Sequence, residues 1–90
     1  MEIFVTYSSS FKRDYKVWIK RNPSKEELLV KVIDLFIIDP FNPALRTHKL
    51  KGKLKDCHAF TVEYDLRIIF YFEDSEHVVF IALGTHDEVY

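Results

Sequence analysis

The sequence predicts an α+β domain, in which two N-terminal helices pack on one face of a mostly antiparallel sheet. Helical spacing of apolar residues occurs early in the chain and strand patterns occur late, in the order β-α-α-β-β-β. An apolar fraction of 48%, with 16% aromatic residues, is typical of a packed globular protein and excludes disorder. A chain of 90 residues has room for one core, so residues 1–90 are expected to form a single domain.

The first strand and helix have clear signals. β-branched and aromatic residues alternate over residues 2–7, which predicts a strand. The serines at 8–10 offer an N-cap for a helix whose apolar residues, from Phe11 to Ile19, recur at spacings of three and four. This helix is expected to end near Asn22 and Pro23.

A second helix is predicted to follow directly. Ser24 and Glu27 have the spacing of a capping box, in which each side chain accepts a hydrogen bond from the other residue's backbone amide. The apolar residues of 28–36 form a wide stripe on one face of this helix. Pro40 disfavours a helical conformation at Asp39, so the helix is expected to stop there.

Three strands are predicted late in the chain. Residues 58–64 alternate in polarity and residues 66–73 follow almost at once, which predicts a β-hairpin. Residues 77–83 are apolar throughout, as expected of a strand that is buried on both faces.

An even-numbered hairpin loop would place Val62 opposite Arg67 and His58 opposite Tyr71. His58 would then share a face with Arg67 but lie ~13 Å from it along the strands. We therefore expect His58 to be a structural or rim residue and not part of a site with Arg67.

The charges are strongly segregated. Residues 1–55 carry twelve Lys and Arg against six acids, whereas residues 56–90 carry one Arg against eight acids. Within residues 41–55 there is one histidine and no acid, which is typical of a segment that contacts a polyanion. A solvated lysine-rich loop is the alternative. The basic residues of this segment are Arg46, Lys49, Lys51, Lys53 and Lys55.

Two further residues could carry chemistry. Arg67 interrupts an apolar strand and needs an anion, either a carboxylate such as Glu63 or Asp65 or a bound phosphate. His86 follows the last strand, a position at which acid-base groups are commonly displayed, although such a histidine can also be an exposed bystander.

No cofactor, metal or membrane is expected. Two glycines cannot build a glycine-rich phosphate loop, and consecutive residues such as His86, Asp87 and Glu88 do not converge on one metal ion. No apolar stretch approaches the ~20 residues that span a bilayer, and no secretory signal is apparent. A single cysteine, Cys57, excludes an internal disulfide and fits a reducing compartment. We therefore expect a cytoplasmic protein.

Three elements together resemble a known superfamily. They are the His-x-Leu-x-Gly motif at 48–52, the strand around Arg67, and the Gly-Thr-His ending at 84–86. The chain resembles the RelE/ParE superfamily of small toxins, and is most similar to the YafQ-type mRNA interferases. The resemblance implies a toxin of a type II toxin-antitoxin pair, neutralised by a cognate antitoxin. It also implies a metal-independent endoribonuclease that cuts mRNA on the ribosome by attack of the 2′-hydroxyl on the adjacent phosphate.

The resemblance also implies roles for individual residues. Arg67 corresponds to the arginine that the wider RelE group places against the scissile phosphate. Pairing of the last two strands would bring His86 close to it. The positions that match the catalytic residues of the YafQ branch are His48, Asp65, His86 and the terminal aromatic Tyr90.

Two positions depart from the YafQ pattern. Thr61 stands where YafQ-type toxins have a further catalytic histidine, and Ala82 stands where they have an arginine. Two alternative functions stay open at this point. One is a ParE-like toxin that binds a protein target such as DNA gyrase, and the other is a folded binding module without catalysis.

Overall fold

A computed structural model describes residues 2–89, and its sheet is five-stranded. None of the helices in this range is long and apolar enough to cross a membrane. The helices and strands are β1 (Phe4–Tyr7), α1 (Ser9–Arg21), α2 (Glu26–Ile38), β2 (His48–Lys49), β3 (His58–Glu63), β4 (Leu66–Phe72), β5 (His77–Thr85) and α3 (His86–Val89).

The strand order in the sheet is β1-β5-β4-β3-β2. β1 runs parallel to β5, and all other neighbours are antiparallel. The predicted α+β class, with a mostly antiparallel sheet, is confirmed. Two short elements were not predicted, β2 and α3, because two and four residues are too few to show a period.

Aromatic rings hold the two long helices against one face of the sheet. Phe36 of α2 is fully buried; its ring centroid lies 4.5 Å from that of Phe60 and 4.8 Å from that of Phe70. Phe11 of α1 makes the equivalent contact with Phe80 at 5.3 Å. Edge-to-face and offset stacking of this kind adds to the free energy gained by burying the rings.

Three of the four predicted helix ends are confirmed. The Ser8 hydroxyl accepts a hydrogen bond from the Phe11 amide at 3.1 Å, and α1 is followed by Asn22 as its C-cap. α2 ends at Ile38, directly before Asp39. The predicted capping box at Ser24 is wrong, because Pro23 starts a short 3₁₀ turn that contains Ser24, and α2 begins only at Glu26.

The predicted register of the hairpin is also wrong. Thr61, and not Val62, lies opposite Arg67, while Glu63 pairs with Leu66. Val62 is therefore the extra residue of a β-bulge. Because of it, the side chains of β3 before Val62 point to the opposite face of the sheet from the one that the predicted register gives. As a result His58 lies opposite Phe70, and points to the helix-covered face.

α1 also supplies hydrogen-bond partners for backbone groups at the edge of β5. β1 ends at Tyr7, opposite Phe80, so the polar backbone groups of β5 after that point have no strand partner on this side. The Ser10 hydroxyl donates to the Ile81 carbonyl at 2.6 Å, and the Leu83 amide donates to the Asp14 carboxylate at 3.1 Å. These two side chains of α1 therefore replace the missing strand.

We predict that Asp14→Ala lowers the free energy of unfolding by about 1–3 kcal/mol, because it leaves the amide of Leu83 without a partner. Urea denaturation followed by circular dichroism measures this change. Asp34→Ala is the matched control, since Asp34 is an exposed carboxylate of α2 with no hydrogen bond to any residue of 2–89. Equal stability of the two variants would contradict the prediction.

Candidate active site

An open cleft of about 600 Å³ lies beside the β3–β4 hairpin, on the face of β4 that points away from the long helices. Its walls come from the tip of the hairpin and from the segment that leads into β2. The cleft contains four of the predicted site residues: Arg46, His48, Asp65 and Arg67.

His48 is held in a defined orientation. Its Nδ1 lies 2.9 Å from the carbonyl oxygen of Arg46. A carbonyl oxygen can only accept, so Nδ1 carries the hydrogen, and in the neutral ring the lone pair is on Nε2. Arg46 adopts a left-handed conformation (φ 52°) at the end of a 3₁₀ turn (Pro43–Leu45), which brings the chain into β2. His48 can therefore accept a proton at Nε2.

Arg67 lies next to a carboxylate and also lines the cleft. Its Nη1 is 3.4 Å from Oδ1 of Asp65, and its side chain is 26% exposed. Glu63, the other nearby acid, instead pairs with Lys25 at 2.8 Å. From the sequence alone, the anion that Arg67 contacts could be a carboxylate or a bound phosphate. The ion pair with Asp65 is long, and it leaves the guanidinium at the wall of the cleft.

His86 lies close to the same carboxylate. Thr85 pairs with Leu66 and Gly84 with Arg67, as antiparallel pairing of the last two strands predicted. The backbone amide of His86 then lies 3.4 Å from Oδ1 of Asp65, the oxygen that also faces Arg67. One carboxylate oxygen is therefore shared by Arg67 and by the first residue of α3.

The turn into α3 is fixed by a capping interaction. The Thr85 amide donates to the Glu88 carboxylate at 2.9 Å, as in the Thr-x-x-Glu capping box, whose signal the sequence carries at residues 85–88. Gly84 allows this fold-back, because an added Cβ would lie 3.1 Å from Cβ of Glu88 and from a methyl group of Val89. The imidazole of His86 remains exposed, with its Nδ1 3.7 Å from Asp87.

The predicted RNA-binding lysines do not line this cleft. Lys51 and Lys53 border a neighbouring depression of about 360 Å³, together with Leu50 and Leu54. Lys49 and Lys55 are exposed and border neither. Of the five predicted RNA-binding residues, only Arg46 lines the cleft. Tyr90, the remaining predicted site residue, lies outside the described residues.

The two positions that depart from the YafQ pattern lie near Arg67. Thr61 is directly opposite it and lines the cleft, so a hydroxyl stands where the resemblance implies an imidazole. Ala82 pairs with Ile69, two residues along β4 from Arg67 and on the same face. Arg67 therefore supplies a guanidinium two pairs along the sheet from the position at which the resemblance implies an arginine.

His58 lies on the helix-covered face of the sheet and does not line the cleft. Its ring centroid lies 5.5 Å from that of Phe70 and 5.4 Å from that of Phe72, and its Nδ1 is buried with no hydrogen-bond partner in the described chain. Burial lowers the pKa of His58, and the positive charges of Lys49 and His48 lower it further. The structure thus agrees with the prediction of a structural histidine.

Comparison with known proteins supports the class of protein that the sequence resembles. A family model described as "Bacterial toxin of type II toxin-antitoxin system, YafQ" matches residues 3–90. The structure of a metal-bound toxin from Helicobacter pylori is 30% identical, with a TM-score of 0.77 and with 100% of each chain covered. No curated protein sequence matches the chain.

Two further structures share the fold. YafQ from E. coli strain BL21(DE3) superimposes with a TM-score of 0.81 at 21% identity, over 99% of both chains. A YoeB/ParE toxin from Agrobacterium tumefaciens gives a TM-score of 0.77 at 18% identity, over 93% of this chain and 99% of that one. The molecule is thus a small toxin with the RelE-like fold. More specifically, the chain belongs to the YafQ family of toxins of type II toxin-antitoxin systems.

We predict that His58→Phe makes the stability of the protein less sensitive to acid. The pKa of His58 is lower in the folded state than its unfolded value of about 6.5, so folding favours the neutral ring. The stability that this provides is present above about pH 6.5 and is lost as the pH falls through the lowered pKa. Urea denaturation at about pH 7.5 and about pH 5 measures the difference.

The control for this measurement is His77→Gln. The hydrogen bond that the His77 ring donates to the Asp74 carboxylate raises the pKa of His77, so protonation of His77 stabilises the fold as the pH falls. This variant should therefore lose more stability on acidification than the parent protein. If His58→Phe responds to acid as strongly as the parent, the lowered pKa of His58 does not contribute.

Proposed function

We propose that the protein is an mRNA endoribonuclease that acts on the ribosome, using side chains alone. The observation that carries this proposal is the arrangement of His48, Arg67 and His86. The first two line one cleft, and Asp65 contacts both Arg67 and the backbone of His86. The cleavage of RNA by its own 2′-hydroxyl requires a base, an acid and a positive charge, and this set supplies all three.

His48 is suited to be the base. Its Nε2 accepts the proton of the 2′-hydroxyl while the O2′–P bond forms, because Nδ1 already donates to the Arg46 carbonyl. His86 in its protonated form is suited to be the acid, and it donates a proton to the 5′-oxygen as the P–O5′ bond breaks. The products are a 2′,3′-cyclic phosphate and a 5′-hydroxyl. General acid-base assistance of this kind contributes ~10²–10⁴-fold to the rate.

Arg67 stabilises the charge that develops on the phosphorane. A half-buried guanidinium is pre-positioned, so it needs little reorganisation when the charge appears. Asp65 contacts both Arg67 and the start of α3, so its proposed role is to position these two groups. The role of Tyr90 in stacking on a base stays a prediction.

The basic segment is proposed to bind the RNA backbone. Its lysines Lys49, Lys51, Lys53 and Lys55 form no ion pair within residues 2–89, so their charges are available to phosphates. Arg46 continues this surface into the cleft. Messenger RNA in the ribosomal decoding site would thus be held beside the catalytic groups.

The proposed protein partner is a cognate antitoxin. Family membership places the chain in a toxin-antitoxin system, and E. coli YafQ has been solved in complex with the antitoxin DinJ. An acidic segment of an antitoxin would be attracted to the basic surface and would compete there with RNA. Inhibition and substrate binding would then be mutually exclusive.

We predict that Arg67→Ala and His86→Ala each lower kcat by ~10²–10³-fold with a smaller effect on KM, because both groups act mainly in the transition state. The double variant should be hardly slower than the worse single variant, since residues that work as a unit are not additive. Cleavage of a defined message on programmed ribosomes measures these rates. His48→Ala should behave in the same way.

The matched control is His77→Ala, which removes an exposed histidine at the other end of β5 from His86. It should cleave as the parent protein does. Circular dichroism must show that every variant is folded, because Arg67 also has a structural ion pair. Folded Arg67→Ala and His86→Ala variants with the parent's cleavage rate would reject the proposed site.

We further predict that replacing Lys49, Lys51 and Lys53 together by alanine weakens RNA binding and flattens its dependence on salt. Each phosphate neutralised on a single strand contributes ~0.7 to the log-log slope, so three lost contacts lower the slope by roughly 2. Replacing Lys12, Lys16 and Lys20 of α1 removes the same net charge elsewhere and is the control. An equal change of slope in both variants would show that only net charge matters.

A further inference from the structure

Tyr64 at the tip of the β3–β4 hairpin has no structural role that the fold explains. Its side chain is 98% exposed, and it makes no hydrogen bond or ring contact with any residue of the described chain. Two other exposed aromatic residues differ from it: the ring of Phe4 lies 5.3 Å from that of His77, and the ring of Phe41 lies 6.2 Å from that of Phe72. Tyr64 therefore stabilises nothing within the fold.

The hairpin turn does not require a tyrosine either. Turn positions favour Gly, Asn, Asp and Ser, whereas tyrosine favours strands. The one demanding position of this turn is Asp65, with φ 61°, and aspartate tolerates that conformation better than most residues. Any polar residue could replace Tyr64 without cost to the turn, so an unpacked aromatic ring there points to a ligand.

The position of Tyr64 identifies the kind of ligand. The residue lines the cleft that contains Arg46, His48 and Arg67, and it directly precedes Asp65. An exposed aromatic ring beside cations is the combination that single-stranded nucleic acids bind, because bases stack on the ring while phosphates contact the cations. A protein partner could also use an exposed tyrosine, but the arginines in the same cleft favour a polyanion.

We infer that Tyr64 is a stacking platform for a base of single-stranded RNA at the mouth of the catalytic cleft. This inference rests on the proposed function, since the base belongs to the substrate whose phosphate lies at Arg67. Stacking of the base on the ring restricts the movement of the RNA strand. Tyr64 therefore contributes to substrate affinity and to the positioning of the scissile phosphate. Because the ring is uncharged, its contribution does not involve release of counterions.

The test compares Tyr64→Ala, Tyr64→Phe and the parent protein in binding a fluorescein-labelled oligonucleotide of about a dozen 2′-O-methyl nucleotides, which cannot be cleaved. Tyr64→Ala should weaken binding about 5- to 150-fold, the range that corresponds to the stacking of one base. The salt slope should not change. Tyr64→Phe keeps the ring and should bind as the parent does. Tyr71→Ala, which removes a tyrosine outside the cleft, should also leave binding unchanged.

Cleavage on programmed ribosomes separates this inference from the proposed function. If the parent cleaves and Tyr64→Ala binds the oligonucleotide as tightly as the parent, the stacking role is overturned and the endonuclease stands. If the parent does not cleave but Tyr64→Ala still binds more weakly than Tyr64→Phe, the endonuclease fails and the stacking role stands.

Three other results would overturn the stacking role. The first is failure of the parent protein to bind the oligonucleotide. The second is equal weakening by Tyr64→Phe and Tyr64→Ala, because the hydroxyl and not the ring would then matter. The third is a Tyr64→Ala variant that binds RNA normally but loses affinity for the antitoxin, which would assign the ring to the protein partner.

Discussion

The bulge at Val62 determines which side chains of the hairpin face the cleft. Because β3 has one extra residue there, Thr61 lies opposite Arg67, and Phe60 and Val62 join the core under the helices. Without the bulge the apolar residues before it would lie on the face of Arg67, and their burial would be lost. The same irregularity therefore maintains the core and gives Arg67 a polar neighbour in the cleft.

Asp65 connects the hairpin to the C-terminal segment at small energetic cost. The residue takes up a left-handed conformation, which ends the turn, and its carboxylate then reaches both Arg67 and the amide of His86. Each contact is long at 3.4 Å, so neither is a strong hydrogen bond by itself. Shared contacts of this kind orient the Arg67 side chain and the start of α3 relative to each other.

Helices and strands that are long enough to show a repeating spacing of apolar residues could be predicted from the sequence. Shorter elements and irregularities could not. α1, α2 and β3–β5 each contain enough residues to show their spacing, and the predicted pairing of β4 with β5 is present, with Gly84, two residues before His86, opposite Arg67. The bulge at Val62 has no local sequence signal, so the register was displaced by one residue. Pro23 favoured a 3₁₀ turn over the capping box that Ser24 suggested, since proline at a first helical position is already in the required conformation.

The site residues were predictable to a different extent. Arg67 and His86 were singled out from their positions in and after the predicted strands, whereas the catalytic roles of His48 and Asp65 came only from the resemblance to a toxin family. The cleft brings His48 near Arg67, because His48 pairs with Ala59 of β3, two residues before Thr61, which lies opposite Arg67. Two residues of β2 could not show this in advance. Tyr64 had a signal, an aromatic residue at a predicted turn, but turn composition alone does not reveal that its ring is unpacked.

The segregation of charge is consistent with RNA binding despite the formal net charge of −1. Four of the eight acids of the second half have a partner that reduces their effect: Glu63 pairs with Lys25, Asp65 with Arg67 and Asp74 with His77, and Glu88 caps α3. The β4–β5 turn carries three of the eight acids and lies at the opposite end of β4 from Arg67. The rise per residue of a β-strand puts this turn roughly 20 Å from Arg67. That distance exceeds twice the Debye length of about 8 Å at physiological salt. An RNA strand at the cleft is therefore hardly affected by the three acids of this turn.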